Sequence, residues 1–259
     1  GAGRSIVCTG CAVRPTVTVE LWEGAAATLI ATTTTNGTGT FTFTDTGGTF
    51  PRNRRVRVVN STVTSSRAGA AATLRSVQTY RTDASSGTPV AVTDRVGGEA
   101  PSLVDPAANT IANAQSVTVV ALASDATTVT GVDFGFNFDT IVNTNDTGQG
   151  SLRQFITNAN TLTPNGTLAQ VGQTAGQETS IFMISDGNAH PGLRTGLPNL
   201  MTAGRALISL TSDLPGLTDA NTSLDGSTQT TNVGDTNTGT LGTGGTVGTL
   251  LFPLPLFDR

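Results

Sequence analysis

The chain of 259 residues contains no lysine; all fourteen of its basic residues are arginine. That absence excludes Schiff-base chemistry, a phosphate-loop lysine and any lysine–asparagine isopeptide cross-link. Charge of either sign is scarce. Charged residues make up 12% of the chain, against about a quarter in ordinary globular domains, and the formal net charge is -4. Such a surface repels polyanions, so neither nucleic acid nor an anionic membrane surface is an expected partner. No run of 18 apolar residues occurs, so membrane insertion as a helix is not expected either. Histidine, tryptophan and tyrosine occur once each. The lone His190 has no Gly-x-Ser-x-Gly element to serve, so it reads as an ordinary loop residue and no catalytic residue is assigned. Two cysteines, Cys8 and Cys11, cannot complete a zinc set with a single histidine, and they lack the βαβ context of a thioredoxin-type motif. A local disulfide in an oxidising compartment is the favoured reading, with a bond to a neighbouring subunit as the alternative. No cofactor is implied and the chain reads as a non-enzyme.

Threonine, glycine, alanine, valine and asparagine fill the space that charge leaves. Thr and Val fit a pleated surface, while Gly and Asn suit tight turns, so composition predicts an all-β protein. Val17, Val19 and Leu21 alternate with Thr16, Thr18 and Glu20, the period of a half-buried strand. Further strands are expected at 28–35, 40–44, 55–59, 116–121 and 127–138. Asn36-Gly37 signals a hairpin. Residues 61–115 read as a long insertion holding one or two strands, with 73–80 the best site for one. Arg52, Arg54, Arg55 and Arg57 read as a solvated strand edge that discourages edge pairing. Trp22 and Tyr80 are too few for a sugar-stacking platform and are expected in the core or at its rim.

Val17-Thr18-Val19-Glu20-Leu21-Trp22, Thr32–Thr35, Asn36-Gly37, Phe41-Thr42-Phe43, Arg57-Val58-Val59 and the closing Val132-Asp133-Phe134-Gly135-Phe136 together resemble the collagen-adhesin B-type repeat (Cna B / SdrD B-like). The resemblance implies an Ig-like β-sandwich over 16–139, interrupted by the insertion at 61–115 and used as a stalk or spacer on surface proteins. Without lysine the cross-link of some members is excluded, and the acidic calcium loop of others is not visible. Asp139, Asn145 and Asp146 are the weak calcium candidates, set against a turn held by Asx side chains.

The character changes near residue 140. Residues 143–150 read as a turn-rich linker. Ser151-Leu152-Arg153-Gln154 is a capping box, and Leu152, Phe155, Ile156 and Ala159 follow at helical spacing, predicting a helix over 151–160. Short strands are expected at 180–184, 206–210 and 222–225. Ile141-Val142-Asn143-Thr144, Gly150-Ser151-Leu152-Arg153-Gln154-Phe155-Ile156, Ser180-Ile181-Phe182 and Leu224 to Gln229 resemble the opening of right-handed parallel β-helix regions in bacterial surface proteins. That implies a smaller β-rich region over 140–246 that starts with a capping helix, and 230–246 reads as a linker. Residues 247–259 form an apolar tail with two prolines.

A lead-in at 1–15 with a candidate donor strand, and an apolar tail at the other end, suggest assembly through the edges of sheets. The expected assembly residues are Ile6, Val7, Leu250, Leu251, Phe252, Leu254, Leu256 and Phe257. The expectation is a structural subunit of an extracellular or cell-surface filament or layer, self-associating head to tail by strand donation into a homopolymer. The alternatives are an adhesin stalk or a module that binds glycan or a host or matrix protein. A polysaccharide-degrading β-helix enzyme is less favoured, because no carboxylates cluster.

Overall fold

The computed structural model describes residues 6–7, 16–65, 67, 69, 71–166 and 168–234. In chain order its strands and helices are β1 (Ile6–Val7), β2 (Thr18–Glu23), β3 (Leu29–Thr34), β4 (Thr42–Phe43), β5 (Arg52–Val58), β6 (Val77–Asp83), β7 (Val90–Val92), β8 (Ser116–Leu122), β9 (Val129–Thr130), β10 (Phe134–Asn137), β11 (Thr140–Ile141), α1 (Leu152–Ala159), β12 (Glu178–Thr179), β13 (Ile181–Phe182), β14 (Met201–Thr202), β15 (Arg205–Ala206), β16 (Thr222–Ser223) and α2 (Ser227–Val233). Strand predominates, and the two helices among the described residues are short.

The first part is organised by an antiparallel sheet of order β3-β2-β5-β8. Val19 and Leu21 of β2 stand opposite Val58 and Val56 of β5, and Val120 and Leu122 of β8 lie on the same face. These side chains pack with Phe41, Phe43, Val129, Val132 and Phe138, and with Phe134 and Phe136 of β10, in one apolar core. Two three-stranded sheets, β4-β1-β9 and β10-β6-β7, supply its other walls. The segment read as an insertion therefore contributes β6 and β7, and β6 pairs antiparallel with β10.

The alternation in β2 predicts one buried face, yet Glu20 and Trp22 are buried as well. Their face is covered by the loop of residues 98–115. Gly98 permits that approach: its φ is 84°, and a Cβ there would collide with the Gln115 carbonyl oxygen. The arginine reading is corrected for the same reason. β5 is an interior strand, and Arg57 is 0% exposed beneath the loop. Arg52 and Arg54 lie on the core-facing side at the end of the sheet, both ion-paired to Asp45 at 2.9 Å.

Asn36-Gly37 does not join two paired strands. β3 pairs with β2, and β4 pairs with β1. The turn is closed by the Asn36 side chain, whose Oδ1 accepts from the Thr38 and Thr40 amides at 2.9 and 3.0 Å, and Gly39 is the residue that takes positive φ.

Beyond residue 138 the strands shorten to two residues; β14 and β15 pair antiparallel, and the other two pairs are parallel. β11 pairs with β13, and β12 with β16. α1 spans 152–159. Ser151 caps it, its Oγ accepting from the Gln154 amide at 3.1 Å. The reciprocal half of the capping box does not form, because Gln154 Nε2 donates instead to the Thr73 carbonyl and to Asn158 Oδ1. The apolar side of α1 packs Phe155, Ile156 and Ala159 on Ile141 and Ile184. The stretch read as a linker at 143–150 is tied down: Asn143 is fully buried and donates to the Pro101 and Gln149 carbonyls. The predicted strand at 206–210 shrinks to β15, and α2 occupies the first residues of the linker expected from 230.

Candidate functional site

β1 lies between two strands whose named ladders are made with it alone. Ile6 and Val7 face Phe43 and Thr42 of β4 in antiparallel register, and Val129 and Thr130 of β9 in parallel register. The slot is built from the core outward. Phe43 and Val129 are 3% and 1% exposed and belong to the central apolar cluster, so the two slot walls are fixed by packing. β4 and β9 are two residues long, too short to hold a sheet by themselves, and the two-sided pairing of β1 makes them one sheet of order β4-β1-β9. Of the residues expected to mediate assembly, Ile6 and Val7 fall in this slot. Leu250, Leu251, Phe252, Leu254, Leu256 and Phe257 lie outside the described residues, as do Cys8 and Cys11.

The walls behind the slot are anchored by buried charge. On the outer face of the main sheet, Arg57 donates to Glu20 Oε2 at 2.9 Å and to Asp105 Oδ2 at 3.0 Å. Trp22 Nε1 also donates to Glu20, at 3.0 Å. Asp105 accepts from the Gln115 and Asn60 amides, which ties the covering loop down. Burial raises the Asp105 pKa, against the pull of these donors and of Arg57. The alternation of β2 carried part of this signal, since it turns Glu20 away from the face of Val19 and Leu21, onto the face where it pairs directly with Arg57. Nothing in the sequence pointed to Asp105.

A second buried cluster joins the two parts of the chain. Arg67 Nη2 donates to Asp139 Oδ1 at 3.0 Å and to Glu178 Oε1 at 2.6 Å. Gln170 Nε2 donates to Asp139 Oδ2 at 3.0 Å. Burial, reinforced by the adjacent Glu178, pushes the Asp139 carboxyl up to about 8. Burial alone would depress Arg67, but Glu178 and Asp139 outweigh it and raise its pKa.

The calcium candidates therefore do not converge. Asp139 is engaged by Arg67 and Gln170, Asp146 is paired with Arg153 at 2.7 Å, and Asn145 donates to the Ser102 carbonyl. The Asn145 amide donates to Asn143 Oδ1, an Asx turn. No group of three or more His, Cys, Asp or Glu side chains able to hold a metal occurs among the described residues. His190 is bound at 2.9 Å by Asp186 Oδ1. No described helix is long and apolar enough to cross a membrane.

The fold and these anchors define a mostly β protein whose short strands are fixed by side-chain pairing. Compared with protein-family models, curated proteins and solved structures, the chain matches none.

Proposed function

We propose that the chain is a structural subunit of an extracellular filament or surface layer, built head to tail by exchange of the β1 segment between copies. The observation that carries this reading is the two-sided slot, in which β4 and β9 become one sheet through β1. Residues 8–17 separate β1 from β2. Ten residues reach at most roughly 33 Å when extended, ample for β1 to leave its own slot and enter a neighbour's. An element that fills the same slot in cis or in trans keeps every local contact, which makes exchange a low-cost route to assembly. On this reading 16–139 is an Ig-like sandwich of the collagen-adhesin B type, and the parallel rungs after it are the start of a β-helix.

The test is electron microscopy and light scattering of three forms: the full chain, the chain lacking residues 1–13, and the chain lacking 247–259. Regular fibres that vanish only on removal of 1–13 support the proposal. Fibres that vanish only on removal of 247–259 move the donor to the apolar tail. Dispersed particles in all three overturn assembly and favour an adhesin stalk.

A further inference from the structure

The main sheet ends at β3 on one side and at β8 on the other. The β8 edge is covered by Ala84, whose amide donates to the Val119 carbonyl at 3.0 Å and whose carbonyl accepts from the Ala121 amide at 2.9 Å. Among the described residues, no strand pairs with the outer edge of β3, which is six residues long. The Thr35 amide donates to the Val17 carbonyl at 2.9 Å, so Thr33 and Thr35 turn their peptide groups inward to β2. Thr32 and Thr34 alternate with them and turn theirs outward. The side chains of Thr32 and Thr34 are exposed as well.

Proteins blunt an edge of this kind with charge, proline or a bulge. From Gly24 to Thr44 the chain has neither a charged residue nor a proline. The register shift in β3 lies between Leu29 and Ala31, and Ala31 to Thr34 are regular. An edge without charge fits a strand of small uncharged side chains, and β3 of a second copy is such a strand. Antiparallel pairing about a two-fold axis beside Thr33 sets Thr32 of each copy against Thr34 of the other, so the outward peptide groups of both residues are met. Thr33 then faces its own counterpart in the intervening pair, which makes no hydrogen bonds and brings the Cα atoms to about 4.5 Å. Threonine opposite threonine favours such a seam.

We propose that two copies of the chain join through β3 in this register, merging their four-stranded sheets into one across a two-fold axis. The contact is isologous and closes on a pair. It uses no residue of the β1 slot, so the two proposals stand or fall separately. Where strand exchange also operates, the β3 contact ties filaments side by side.

Oxidative cross-linking of the full chain carrying Thr33→Cys tests it, with linked peptides mapped by mass spectrometry so that bonds of Cys8 and Cys11 are told apart. A disulfide between the two copies at position 33 is expected, because the Cα separation suits one. Thr28→Cys, which the register sets roughly 30 Å from its counterpart, is expected to give none. Adding Thr32→Lys and Thr34→Lys to Thr33→Cys, both at exposed positions, sets like charges along the seam and is expected to cut the linkage about ten-fold. Absence of a link at position 33 overturns the proposal. So does equal linkage at position 28, or linkage that the two lysine substitutions leave unchanged.

Discussion

The stretches 16–138 and 139–234 hold their backbones together in different ways. In the first, the six- and seven-residue strands of the main sheet run antiparallel in long ladders, and charged side chains are buried in ion pairs on both of its faces, Glu20, Arg57 and Asp105 on one and Asp45 and Arg54 on the other, beside neutral ones such as Gln78 and Gln115. In the second, the parallel pairs are two residues long, and the backbone is held by neutral side chains reaching across loops. Gln229 bridges the amide and carbonyl of Ile184, Thr228 Oγ1 accepts from the Phe182 amide, and Asn158 ties the second stretch to the first by donating to the Arg75 and Phe138 carbonyls. A long ladder satisfies its own peptide groups and leaves side chains free to make ion pairs. Short rungs leave peptide groups over, and Asn, Gln and Thr must meet them.

That contrast ranks the expected effects of substitution. Arg57→Met leaves Glu20 and Asp105 buried without their cation and is expected to destabilise the chain by about 3–5 kcal/mol in chemical denaturation. Adding Glu20→Gln and Asp105→Asn should restore much of the loss; a triple variant no more stable than the single would break the claim that charge is what the first region has invested in. Asn158→Ala orphans two carbonyls and is expected to cost about 1–3 kcal/mol, with hydrogen exchange rising around 138–160 before the main sheet responds. Simultaneous opening of both regions would remove the distinction.

The joint between the regions adds a dependence on pH. Free in the unfolded chain the Asp139 carboxyl titrates near 3.8, and in the fold near about 8. Between those values the folded state binds the additional proton, so this contribution is complete below pH 3.8 and is lost as pH rises through 8. The melting temperature is expected to fall between pH 6 and 9 by at least about 2–4 °C, the shift that 1 kcal/mol brings in a chain of this size. Asp139→Asn, which keeps the shape of the protonated acid, should flatten that slope; an unaltered slope would place the titration elsewhere. The smallest effect is that of Ser151→Ala, which removes the helix cap and is expected to cost about 1 kcal/mol, read as fraying of α1.

The alternation of Val17, Val19 and Leu21 and the serine before the apolar helix spacing were legible because each is a local pattern within one element. The burial of Arg57 was not, since it depends on a loop more than forty residues away that folds over the sheet. Nor were the rungs legible, because two residues cannot display a period. Asn36-Gly37 misled for a related reason: the dipeptide specifies a turn, while the partner of the strand that follows is set by the core. Ile6 and Val7 were recognised as strand-forming, but the two-sided slot that receives them is assembled from residues more than eighty positions apart.

The slot has one further consequence. A strand within it meets β4 antiparallel and β9 parallel, so a strand inserted backwards would find the wrong hydrogen-bond pattern on both sides. The slot therefore reads chain direction. Any assembly propagated through it is polar, with one end offering an empty slot and the other an unplaced strand, and those two ends would grow and be capped by different partners.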